Sequence, residues 1–221
     1  MASSLSPLPR KYSDSNHGTA LFFNYLEGCE NDIRDLKTRL TDIGWKCRVV
    51  EVKKIKDFRR EWQKNREDVA GTILVFFFGY GYERQLFIGS SVEESLFWPV
   101  LYEQLNKYKK KHEALILFTN TCFKQPANNV YEHCERDRDN SISDIFHMVI
   151  QVNGNCEEGS LMTRILLHEM ENSPYNFSNM ARNLSWKIND YRKWKEDKYY
   201  CFWRCTGTVN DVTVPRLWTD G

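Results

Sequence analysis

The chain has 221 residues, and its balance of 41% hydrophobic to 28% charged residues is that of a globular chain. The length suits one large α/β core, and a formal net charge of +1 leaves no electrostatic footprint for a phosphate backbone. No apolar run is long enough to cross a bilayer, so neither nucleic acid nor membrane is an expected partner.

Met1 to Gly18 is rich in Ser and Pro without an apolar segment, which reads as a flexible leader and not a signal peptide. The expected location is therefore the cytoplasm. Seven cysteines (Cys29, Cys47, Cys122, Cys134, Cys156, Cys201 and Cys205) include no C-x-x-C pair and fit free thiols in a reducing compartment. The glycosylation patterns at Asn176 and Asn183 have no use without export. Nothing calls for a metal or a cofactor.

Thr19 to Tyr25 is a short apolar and aromatic run of the kind that fills a buried strand. Ile33, Leu36, Leu40 and Ile43 fall on one helical face, with Gly44 as the stop. A strand follows over Lys46 to Val52, then an amphipathic stretch through Ile55, Phe58 and Trp62. Thr72 to Phe78 is apolar throughout, as in a strand covered on both faces. After a turn at Gly79 to Tyr82 and a hairpin-like excursion to Ser91, a helix is expected from about Val92 to Tyr108, kinked at Pro99.

Ala114 to Phe118 supplies a fourth buried strand, with Thr119 to Phe123 as a loop at its carboxyl end. Phe123 to Ser143 holds Pro, Asn and dense charge, the composition of a linker. Beyond it are expected a strand (Phe146 to Val152), a helix (Ser160 to Met170), a longer helix through Phe177, Leu184 and Tyr191, and a last aromatic strand, Tyr199 to Cys205. Strands alternating with helices imply an α/β fold, a mostly parallel central sheet with helices on both faces, and functional loops at the strands' carboxyl ends.

This layout resembles the caspase family over nearly the whole length. Ala20 to Asn24 is similar to that family's first strand, Gly28 to Leu40 to the stretch opening its first helix, and Asp144 to Met148 to the first small-subunit strand. Gly159 to Met162 resembles the G-S-W-F motif. The resemblance implies a three-layer caspase-like fold with a leader at 1–18, a large-subunit part at 19–122, an intersubunit linker at 123–143 and a small-subunit part at 144–221.

Caspases cleave after aspartate with a Cys–His dyad, the imidazole managing the proton while the thiolate attacks. Where the family has S-H-G, this chain reads Gly79, Tyr80, Gly81, so Tyr80 takes the histidine's place. A phenol, which ionises near pH 10 in water, is a poor proton shuttle at pH 7. Where the family has Q-A-C, the row reads Asn120, Thr121, Cys122, which keeps the cysteine in altered surroundings. Gly81 and the Cys122 amide match the oxyanion-hole positions.

The family grips the substrate aspartate with two arginines and a glutamine, because a buried carboxylate needs forked, charged donors. By the resemblance, Leu26 stands near one arginine position, Asn120 replaces the glutamine, and the S-W-R segment is reduced to Asn153 to Glu158. The expectation is a degenerate cysteine protease, resembling the cellular FLICE-like inhibitory proteins or the insect decoy caspases. Its partner would be an active caspase, bound through the last strand at Tyr200, Cys201, Phe202, Trp203 and Arg204. Enhancement of that caspase in apoptosis is the leading reading. A dominant-negative decoy and a cysteine protease of altered specificity are the alternatives, and a homodimer of the chain alone is left open. Asp137, Asp139 and Asp144 offer cleavage points in the linker.

Overall fold

The computed structural model describes residues 18–26, 28–42, 44–51, 55–66, 72–82, 85–87, 95–108, 115–123, 145–152, 161–172 and 199–206. The leader up to residue 17, the linker from residue 124 with its aspartates, the 153–160 segment, the second small-subunit helix and both glycosylation patterns lie outside the described residues.

Strand β1 (Thr19–Asn24) leads into helix α1 (Glu30–Asp42), whose Ile33, Leu36 and Leu40 are buried on one face. The helix stops at Gly44, which adopts a φ of 90° that residues with a Cβ rarely take. There the Gly44 amide donates to the Thr41 carbonyl and the Trp45 amide to the Leu40 carbonyl, both at 2.9 Å. These are the two reversed bonds of a Schellman cap. Strand β2 (Lys46–Glu51) and helix α2 (Ile55–Arg66) follow.

Next come β3 (Ile73–Tyr82), the short strands β4 (Gln85–Phe87) and β5 (Ser95–Phe97), and helix α3 (Trp98–Lys107). The second half holds β6 (Leu115–Phe123), β7 (Ile145–Val152), α4 (Leu161–Asn172) and β8 (Tyr199–Thr206). The strands form one sheet in the order β2-β1-β3-β6-β7-β8, with β4 joined to β3 and β5 to β4. Pairing is parallel from β2 to β7, while β8 runs antiparallel to β7. This is the expected α/β architecture.

Alternation along the strands builds two cores. Leu21 and Phe23 of β1, Ile73, Val75 and Phe77 of β3, and Leu115 and Leu117 of β6 pack with Phe58 and Trp62 of α2 and Leu101 and Leu105 of α3. The intervening residues, including Ala20, Phe22, Leu74, Phe76, Ile116 and Phe118, face the opposite side, where α1 lies beside α4. There Phe22, Phe76 and Phe118 stack across three strands, with ring centroids 4.8 and 5.0 Å apart and interplanar angles of 8° and 9°.

Three expectations need correction. Gly79 to Tyr82 is not a turn and Thr119 to Phe123 not a loop: both are strand, because each pairs with the other and β3 pairs again with β4. The stretch from Val92 is not one kinked helix. Ser95 to Phe97 is a strand paired with β4, and the helix begins at Trp98. Pro99 then falls in the first helical turn, where a missing amide proton costs no intrahelical bond.

Candidate functional site

The chain passes from β1 to β2 on one side of the sheet and reaches β3 on the other, so strand order reverses between β1 and β3. In open α/β sheets, ligands bind outside the carboxyl ends of the strands near such a reversal. Leu26, Tyr80, Gly81, Asn120 and Cys122 all stand at this edge, at the ends of β1, β3 and β6.

Tyr80 and Cys122 are register partners on adjacent strands. The residue that β3 offers beside the Cys122 position is thus a half-buried phenol. A phenol, unlike an imidazolium, offers no positive charge to draw a thiol toward thiolate. Gly81 is buried, flanked by Leu86 of β4 on one side and Phe123 of β6 on the other. Asn120 is 4% exposed and pairs in register with Phe78 and Ile150.

At the end of β1 the Tyr25 amide donates to the Phe78 carbonyl at 2.8 Å, carrying the ladder one residue beyond the strand. The Leu26 amide donates to Asn24 Oδ1 at 3.1 Å, a local turn that folds the Leu26 side chain inward. Leu26 is 4% exposed. The Tyr25 ring lies 4.8 Å from that of Phe77. Burial, with the negative charges of Asp57 and Glu61, pushes the Tyr25 hydroxyl well above the ordinary phenol range.

The backbone also locates His147. It is level with Leu117, whereas Cys122 is level with Val152. Five residues at about 3.3 Å each put His147 about 16 Å down the sheet from the Cys122 level, beyond reach of a proton transfer. Among the described residues there is no group of three or more His, Cys, Asp or Glu side chains that could hold a metal, and no helix long and apolar enough to cross a membrane.

The residues expected to meet a partner, Tyr200 to Arg204, lie in β8 at the end of the strand order, three strands from β3. Their register partners on β7 run from Gln151 to His147. Sequence reasoning missed Thr121, 2% exposed, whose side chain sits against Gly81. The signal was available as a β-branched residue in a strand-like run opposite a glycine.

Two solved structures share this fold. That of pro-sf-caspase-1 matches with a TM-score of 0.69 at 15% identity, covering 88% of this chain and 93% of that one. That of caspase-1 from Spodoptera frugiperda matches with a TM-score of 0.58 at 15% identity, covering 87% and 88%. At such identity the likeness concerns the fold. No curated protein sequence matches the chain. The caspase-domain family, Peptidase C14, matches residues 17–207, most of the length. On that match the chain belongs to the caspase-domain family.

Proposed function

We propose that this caspase-domain protein is a non-catalytic homologue that binds an active caspase as a heterodimer and raises its activity in apoptosis. The observation that carries this reading is the register pairing of Tyr80 with Cys122. A cysteine protease needs a base beside its thiol, and the strand neighbour here is a phenol. Leu26 and Asn120 point the same way, because neither supplies the charged, forked donor that an aspartate side chain requires.

A protein of this fold without proteolysis of its own retains a sheet whose end strand, β8, can support a partner. A second caspase domain stabilised in its active arrangement gains turnover in proportion to the differential affinity for that state. Co-expression with catalytic caspases, followed by titration of the purified chain, tests the proposal. Complex formation with rising partner turnover supports it, and complex formation with falling turnover replaces it with the decoy reading. Peptide hydrolysis by the chain itself, abolished by Cys122→Ala, favours a protease of altered specificity instead.

A further inference from the structure

We infer that the outer edge of β2 is a docking site for an extended acidic peptide, which it takes up as an added strand. The strand order ends on β2 and on β8, and the β2 end is not part of the heterodimer proposed above. Among the described residues β2 pairs with β1 alone, in parallel register from Lys46 with Thr19 to Glu51 with Asn24. Its far side presents backbone amides and carbonyls that a further extended chain can meet. Lys46, Val49 and Glu51 are exposed along it, Val49 to 44%.

The charge of that edge is set by which face each side chain takes. Val50 packs in the core with Phe58 and Trp62 of α2, and alternation puts Lys46 and Arg48 on the same face. Arg48 Nη1 donates to the Asn65 carbonyl at 3.5 Å, which ties β2 to the last turn of α2, where Lys64 is exposed. The carboxylates of α2 do not offset these cations, because Arg60 holds both Asp57 and Glu61, at 3.2 and 3.3 Å. Among the described residues neither Lys46 nor Lys64 has a carboxylate partner. Lys46, Arg48 and Lys64 thus give the edge a positive flank on the α2 side, while Val49 offers an apolar position on the other.

The occupant follows from the free edge and the charge together. A peptide paired with β2 sends its side chains alternately to the two faces of the sheet. Acidic residues at every second position then stand beside Lys46 and Arg48 as cross-strand pairs of opposite charge, and apolar residues between them fall next to Val49. A nucleic acid or an anionic lipid surface answers the charge but brings no row of amides and carbonyls to the strand edge. A peptide alone uses both features.

Fluorescence anisotropy with the full chain and a labelled peptide of alternating Glu and Val tests the site. The peptide should bind, loosen as salt rises, and at saturation slow amide exchange within 46–51 about tenfold or more. Two control peptides should bind about tenfold or more weakly: one with Lys in place of Glu, and one N-methylated throughout, which keeps its charge but cannot donate to a strand edge. Lys46→Glu with Lys64→Glu should weaken binding of the Glu–Val peptide about tenfold, with circular dichroism confirming the fold. Absence of binding, or equal binding of either control, overturns the docking site. Protection confined to 199–206 places the peptide on β8 and overturns it as well. Displacement of the peptide by a short single-stranded oligonucleotide, without protection of 46–51, shows adhesion of any polyanion and also overturns it. If the double variant fails to fold, the control peptides and the wild-type exchange pattern decide alone.

Discussion

Tyr80 of β3 and Cys122 of β6 are direct neighbours in a parallel ladder. The residue that β3 places beside the cysteine is therefore fixed by strand pairing. We expect the purified chain to hydrolyse no aspartyl peptide and Cys122 to take no label from aspartyl electrophiles at neutral pH. On the proposed reading, in which Leu26 and Asn120 stand where the carboxylate's donors are needed, Tyr80→His should not restore cleavage. Robust turnover by that single variant, read with a fluorogenic aspartyl substrate, would contradict this account of the pocket.

Phe76 is fully buried and stacked between Phe22 and Phe118. Truncation removes both ring pairs and leaves a cavity in the middle of the sheet, so Phe76→Ala should cost about 3–5 kcal/mol. Phe76→Leu keeps more of the volume and should cost less. Urea denaturation followed by circular dichroism measures both, and a loss below about 1 kcal/mol for Phe76→Ala would remove the aromatic row from the core.

The order of elements was legible because apolar runs such as Ile73 to Phe78 and the helical spacing of Ile33, Leu36 and Leu40 follow directly from burial on a sheet or helix face. The ends of β3 and β6 were not. Gly79, Gly81 and Asn120 carry turn propensities when taken alone, and only pairing between distant segments makes them strand. The hairpin-like excursion that holds β4 was legible, whereas β5 was read as helix, since a three-residue strand holds too few positions for a period to emerge. Of the site, the residue types at 80 and 122 were plain in the sequence, whereas their adjacency in the ladder came from the structure.

Cys29 is 1% exposed just before α1, where its carbonyl accepts from the Ile33 amide at 3.0 Å. Burial, with the negative charges of Asp32 and Glu30, pushes its thiol up to about 12 from an ordinary 9.0. At pH 8 its alkylation should be about 1000-fold slower than that of a free thiol, from the thiolate fraction alone. A raised pKa means that the folded chain holds its proton where the unfolded chain has lost it. The resulting stability is complete below pH 9 and is lost as pH rises through 12. Cys29→Ala should flatten the alkaline fall of stability between those limits. Cys29 labelling in the native protein as fast as in urea would show an accessible thiolate and contradict this environment.

The last prediction concerns β8, which ends the sheet and among the described residues pairs only with β7. An edge strand presents a row of backbone donors and acceptors that a second sheet can extend, and Tyr200 to Arg204 combine aromatic residues with an arginine, types enriched at interface centres. If this strand carries the proposed heterodimer, Phe202→Glu or Trp203→Glu removes a contact worth about 2 kcal/mol or more and should weaken the complex about 30-fold. Enhancement of the partner caspase should fall in step, because only bound chain can shift the partner toward its active arrangement. Cys122→Ala, two strands in from β8 and outside Tyr200 to Arg204, should leave both binding and enhancement intact. Sedimentation velocity with partner turnover in the same samples reads the two effects together. Loss of enhancement with Cys122→Ala, or full binding with both glutamate variants, would move the working surface away from β8.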